Sequence, residues 1–584
     1  MRTNKLGLTL PEQTNNKPTI DLSVEGVEKW RSHLQTADTG ETAHNVFTML
    51  KEMNSTIIPP TNRFQVLVLL RPLSQVIFQL LKKHYVNRTQ PLSPKKLNIV
   101  ELSRILQTEM LNSYKIIIED IANDPSATLK TEILPNAIYR ALRHFNNILS
   151  SYYQLYSEQP ANIWKEMHIL YKYALDCKIA ENPITLEIME NNKNLVATTP
   201  YKHAIFLASI HPYQWRQSEQ EMLYKYANLW DEFITIRSFK SKDRTENSGI
   251  IFIPINEDLS PFPITIKKTT INDSGLILDL SNLVSYLKTN INNLKNISGT
   301  ETAIEIYSLQ KLASYIIGGP TRKMERFNII GQVSAAFGAL STHYHINQRR
   351  LFKPENVGTD TPEDSMQELN SDLSLDDALS SNSNTEQEFK ADTFLYKCKL
   401  MNIHGEGAGI SFQDISFPPI QPGEIVAMTI ASSDGVDLDE THWNIGTICW
   451  LKHDAQNKLI AGIKILAPFA IAAAVQLLKD GNGVGYFQRA LLFQDHTETF
   501  NLITPIMQFE TGKTVKIYSY YHKIFVETEL KKQVDANNNF KCFIVNINLN
   551  PSNVEIPKIN AASIVEPAKE DATVTSNANI WKDL

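Results

Sequence analysis

Two arginines four residues apart, Arg322 and Arg326, stand directly before the alternating stretch Phe327–Ile346. Guanidinium groups are planar, permanently charged and carry their donors in a fixed fork. A pair at this spacing can fork onto phosphate oxygens. Far downstream, in the second strand-rich stretch Phe394–Phe412, runs Asn402-Ile-His404-Gly-Glu-Gly407. Between them Arg349-Arg350-Leu-Phe-Lys353 offers a rival basic cluster. The bland alternative is that Arg322 and Arg326 pair with acids and fix a domain boundary, where exposed ion pairs contribute about 0–1 kcal/mol.

Other chemistries find little support. His343, His345, His404, His442 and His453 have no acidic partners at metal-ligand spacing. On a strand, His343 and His345 would share a face through the two-residue period alone. Gly481-Asn-Gly-Val-Gly485 lacks the Lys-Ser/Thr step and the following helix of a phosphate loop, and reads as a turn between two β units. No nucleophile elbow, HExxH or kinase set occurs. The chain is expected not to be an enzyme and to need no metal or cofactor.

At 584 residues the chain should hold three to four domains. A 42% apolar fraction is ordinary for a globular protein. A net charge of -6 and pI near 6.2 give no basic footprint, which argues against nucleic acid as the main partner. The four cysteines have no CxxC spacing and fit a reducing compartment. With no apolar leader and no run of about 18 uncharged apolar residues, the expectation is a cytoplasmic chain without a membrane span.

Residues 1–20 read as a flexible N-terminus and 21–190 as a helical bundle. Val66, Leu69, Leu70, Leu73, Val76, Ile77, Leu80 and Leu81 form one helical stripe, with Pro72 kinking or dividing it. Residues 191–319 mix helix and strand and end at the helix stop Gly318-Gly-Pro320. A β-barrel is expected over 320–480, interrupted by an acidic, Ser/Asn-rich insertion at 355–389 that is too polar to fold. Its last element, Pro468–Leu478, reads as a short apolar helix. A second β-rich unit covers 481–550, and 551–584 is a tail. The class is multidomain α+β.

Arg322-x-x-x-Arg326 and Asn402-x-His404-x-x-Gly407 together resemble the signature of PilZ domains. Ile445-Gly-Thr-Ile-Cys-Trp450 and Gly462-Ile-Lys-Ile-Leu466 are similar to a later strand pair of the same family. The resemblance covers Arg322 to about Leu478. It implies a six-stranded barrel that binds the bacterial second messenger cyclic di-GMP. On that reading Arg322 and Arg326 contact phosphate and base, Asn402 and His404 form a polar rim, and Gly407 allows close approach. The chain departs from the family at His404, where serine is usual, and in the long gap from Arg326 to Asn402. The larger architecture resembles uncharacterised bacterial proteins with a long helical region before a PilZ domain.

The resemblance implies a cyclic di-GMP-binding signalling effector that relays binding through its helical region to a protein partner. Motility, pilus and surface-attachment machinery are the candidate settings. The alternative is a degenerate scaffold that binds no nucleotide.

Overall fold

The computed structural model describes residues 4–14, 18–34, 38–88, 92–124, 126, 129–184, 195–244, 249–264, 275–294, 300–318, 331–355, 357–358, 395–404, 406–412, 420–430, 443–454, 458–495, 498–537 and 539–547. The expected tail lies outside them, as does the acidic insertion apart from Glu355, Val357 and Gly358.

The first half is helical: α1 (Val24–Ser32), α2 (Thr39–Ser55), α3 (Pro60–Lys82), α4 (Pro94–Asn123), α5 (Leu134–Gln154), α6 (Ile163–Asp176), α7 (Thr199–Ser209) and α8 (Gln217–Leu229). Local chemistry sets their starts. The Ser23 hydroxyl accepts from Gly26 N, and the Asp38 carboxylate accepts from Gly40 N and Glu41 N, satisfying amides that the first turn leaves open. Pro60 and Pro94 occupy the first helical positions of α3 and α4, where a missing amide costs nothing. Pro72 leaves α3 a single helix, with Val66, Leu67, Leu70, Ile77 and Leu81 buried. By length and composition α3 could cross a membrane; here it packs against α1, α2 and α4.

A small sheet of order β1-β4-β2-β3 follows, built from β1 (Thr235–Ser238), β2 (Ile250–Ile253), β3 (Phe262–Pro263) and β4 (Leu276–Asp279). The helices α9 (Ser281–Leu294) and α10 (Thr300–Gly318) complete this half. One hydrophobic cluster runs from Leu8 to Ile316, so the bundle and the mixed region share a core.

The N-terminus is not loose as expected. Leu8 is 1% exposed. The Glu119 carboxylate accepts from the Lys5 and Leu6 amides, and Glu166 accepts from Thr9 N at 2.9 Å. Glu166 is itself held by Lys115 Nζ at 2.8 Å, with both side chains buried. Two buried carboxylates need donors, and the polar arm supplies them.

The second half is two closed six-stranded barrels. The first uses β5 (Gly331–Phe337), β6 (Tyr396–His404), β7 (Gly407–Phe412), β8 (Ile425–Ile430), β9 (Asn444–His453) and β10 (Leu459–Ala467). The second uses β11 (Ala470–Lys479), β12 (Asn482–Gln494), β13 (Phe500–Thr504), β14 (Thr514–Ser519), β15 (Ile524–Ala536) and β16 (Lys541–Val545). In each barrel the first strand pairs with the second and fourth, the third with the second and sixth, and the fifth with the fourth and sixth. The two modules therefore share one connectivity.

Three expectations change. Pro468–Leu478 is not a helix: Ala470–Lys479 is the first strand of the second barrel. Ile471, Ala473 and Val475 point into that barrel's core, while Ala472 and Ala474 are covered from outside, which removes the alternation that marks a half-buried strand. The Gly481–Gly485 run is the tip of a hairpin within one barrel. Asp480 and Gly481 both have positive φ, 52° and 78°, as a tight hairpin turn demands. Finally, the strand expected through Ile346 stops at Phe337. Gly338 turns the chain at φ 81°, and α11 (Gly338–Ile346) follows. His343 and His345 thus lie on a helix. His343 Nε2 donates to Ala473 O of the second barrel at 3.1 Å, and the His345 ring lies 5.5 Å from Trp443 of the first.

Polar contacts tie the three bodies together. Arg216 Nε, at the start of α8, donates to Pro422 O at 2.9 Å, and Asn537 Nδ2 of the second barrel donates to Gly423 O at 2.7 Å. His453 N donates to Tyr156 O at 2.7 Å, and Tyr156 packs into the first barrel's core cluster.

Candidate ligand-binding site

Inward side chains of the first barrel, among them Ala408, Ile410, Ala461, Ile463 and Leu451, fill its core. Strand alternation then sends Gly407, Gly409, Gly462 and Lys464 to the outer wall. A register shift between Leu400 and Asn402 brings Asn402 out to the same wall, opposite Gly409. Gly409 pairs with Gly462, and Gly462 with Trp450. One row across four strands therefore reads Asn402, Gly409, Gly462, Trp450.

Both glycines are required by what lies on them. A Cβ at Gly409 would come 2.8 Å from Asn402 Oδ1, and one at Gly462 would come 2.0 Å from Trp450 Nε1. The Asn402 amide, 5% exposed, lies against Gly409. The half-buried indole lies down on Gly462. An indole held flat on a sheet can offer its other face to a planar ring. Next to this row His404 pairs with Gly407, and Gly407 with Lys464.

Arg322 and Arg326 lie outside the described residues, as does the side chain of His404. The strand that follows the arginines is placed. β5 runs antiparallel to β6 with Gly331 opposite Leu400, so β5 begins at the barrel end where β6 continues to Asn402 and His404. The strand that follows the arginines in sequence thus starts at the rim that carries the β6–β7 hairpin. The rival Arg349–Lys353 cluster goes elsewhere. It follows α11, and Phe352 within it packs on His343 and under the Arg489 guanidinium of the second barrel.

Among the described residues the second barrel has no counterpart to this wall. Its corresponding rows carry Phe493, Asn501, Ile544 and Lys532, then Leu491, Ile503, Cys542 and Asp535. Bulky side chains stand where the first barrel has glycines, and several of them pack against Ile425, Ile445 and Ala467 of the first barrel. The connection between β10 and β11 is only Pro468 and Phe469, with no room for an arginine-bearing linker.

Motif reading missed Gly409, because its partner is visible only in the register. It also missed Arg216 and Tyr156, which join the bodies without any local pattern. Among the described residues no group of three potential metal ligands gathers.

The chain is thus a tandem of like-connected barrels on a helical body, the first barrel with a glycine-floored polar and aromatic wall. The family model described as cyclic-di-GMP receptor FimW, N-terminal domain, matches residues 25–241, within the helical half. The chain is also similar to the cyclic-di-GMP receptor FimW of Pseudomonas aeruginosa, with 23% identity over 553 residues, 88% of this chain and 89% of that protein. No solved structure matches.

Proposed function

We propose that the chain is a cytoplasmic, non-enzymatic receptor for cyclic di-GMP, with the ligand on the outer wall of a PilZ-like first barrel. The observation that carries this reading is the row Asn402, Gly409, Gly462 and Trp450 at the rim where β5 begins. The similarity to a protein named a cyclic-di-GMP receptor over most of both chains supports it. Arg326 is five residues before Gly331, so its backbone lies within about 18 Å of the rim even when extended. A long arginine side chain covers part of that distance. Arg322 and Arg326 then grip phosphate and base, Asn402 and His404 supply polar contacts, and Gly407 lets the ligand approach the hairpin backbone.

The linker that bears the arginines joins α10 to β5. Binding that favours one linker arrangement shifts the population of the helical body by that difference in affinity and no more. In this reading the helical body is the surface that meets a protein partner.

Isothermal titration of cyclic di-GMP into the full-length protein tests the reading. Each arginine contributes charge-assisted hydrogen bonds of about 1.5–3 kcal/mol. The double variant Arg322→Ala/Arg326→Ala should therefore bind about 100-fold more weakly or worse. No saturable binding to the folded parent would favour the scaffold alternative, and equal binding by the variant would remove the arginines from the site.

A further inference from the structure

The seam between the two barrels opens on one side into a cavity of about 400 Å³, within the usual range of small-molecule sites, about 300–1,000 Å³. Its floor is Ile425, Leu491, Ile503 and Phe540, which belong to the hydrophobic seam itself. Leu340 of α11 walls one side, and Phe352 with Pro354 closes another. The wall is mostly apolar, and one cationic side chain breaks it. Arg489, on β12, is half-buried, and its guanidinium lies 5.0 Å from the centre of the Phe352 ring. His343 also lines the space, but burial pushes its pKa down to about 4, so it is uncharged at neutral pH. Among the described residues Arg489 has no carboxylate within ion-pair distance.

A half-buried cation with no counter-ion among the described residues, beside an apolar chamber, is costly unless an anion completes it. We propose that this cavity is a second ligand site, separate from the outer-wall site, that takes a small apolar monoanion: a carboxylate whose acyl or aryl body fills the seam while its charged end meets Arg489. A guanidinium carries its donors in a planar fork that takes a carboxylate through two parallel hydrogen bonds. Because α11, the Phe352 segment and both barrels contribute walls, an occupant touches both modules at once.

The test uses full-length protein and two probes. Anilinonaphthalene sulfonate, an aryl monoanion that fluoresces in apolar surroundings, is titrated first. Decanoate and neutral decanol are then used as competitors. Saturable binding displaced by decanoate at least about tenfold more effectively than by decanol is expected. Arg489→Gln should erase that preference, while Leu340→Trp, which fills the chamber, should abolish the binding. Ala339→Trp, at the exposed mouth of the same helix, serves as the blocking variant if Leu340→Trp perturbs α11. Circular dichroism, thermal melting and cyclic di-GMP titration confirm that each variant is folded. Absence of saturable probe binding, or probe binding unchanged by both tryptophan variants, overturns the site. Equal competition by decanoate and decanol, with Arg489→Gln like the parent, overturns its preference for an anion.

Discussion

Gly462→Ala probes the outer-wall site with a single methyl group. A Cβ there would lie 2.0 Å from Trp450 Nε1 and 2.2 Å from its Cε2. Ordinary contact is about 3.5–4.0 Å, so the indole must withdraw by about 1.5 Å. The strand cannot give way, because Gly462 is paired on both sides, with Gly409 and with Trp450. A tryptophan buries about 150–250 Å², and lifting one face off the sheet forfeits roughly half of that. At about 25 cal/mol per Å² the loss is about 2–3 kcal/mol. If the indole is also a stacking platform for a base, worth about 1–3 kcal/mol, the variant should bind cyclic di-GMP about tenfold more weakly. Thermal melting reads the first effect and isothermal titration the second, with Trp450→Leu as the comparison. A variant that melts and binds like the parent refutes the packing of Trp450 on Gly462. A variant that is destabilised yet binds normally refutes the platform while leaving the packing intact.

Two further perturbations test the helical body. Glu166→Ala strands Lys115, 5% exposed, without its partner and frees the arm at Thr9. Breaking a buried pair from one side should cost about 3–5 kcal/mol, whereas Lys115→Met/Glu166→Leu should cost much less; a urea midpoint equal to the parent's in Glu166→Ala contradicts the burial. The second perturbation is acid. Burial pushes His144 down to about 3 and His168 to about 4, and nearby Arg140 and Arg143 depress His144 further. Folded values below the unfolded value, about 6.5, mean that the unfolded chain takes up protons first. Stability should be full above about pH 6.5 and fall as the pH drops toward 4; a midpoint flat across that range would count against neutral, buried histidines.

Much of this architecture is legible in the chain. The mixed helix and strand expected over 191–319 forms, with α9 at Ser281–Leu294, and Gly318 closes α10 as its glycine stop suggests. The second β-rich unit forms as strands that include Asn482–Gln494 and Thr514–Ser519, and in the latter Val515 and Ile517 turn inward between the more exposed Thr514 and Lys516. Where alternation fails, reading fails. Ala470–Gln476 is rich in alanine, a strong helix former, and is covered on both faces, so neither propensity nor period points to a strand. Ala335 to Leu340 is apolar throughout, so only the backbone of Gly338 marks where strand gives way to helix.

The site is legible in halves. Motif spacing marks the residues at the β6–β7 hairpin and the arginines before β5. That β5 begins at the rim of this hairpin depends on antiparallel pairing across the insertion, and the glycine floor depends on register, which shifts by one residue at Asn402. A one-residue slip would exchange the inner and outer faces of the strand. Neither is written in any local pattern. The joints at Arg216 and Tyr156 are contacts between segments remote in sequence and carry no signature at all.

Hydrogen exchange on the full-length protein, with and without saturating cyclic di-GMP, locates the ligand most directly. Occupancy of the outer wall should slow exchange in the β6–β7 hairpin around Asn402 to Gly409 and at Ile460–Gly462 of β10, and leave the outer strands β14 and β15 of the second barrel unchanged. Protection confined to the second barrel, or saturable binding without protection at the hairpin, would contradict the assignment of the site to the first.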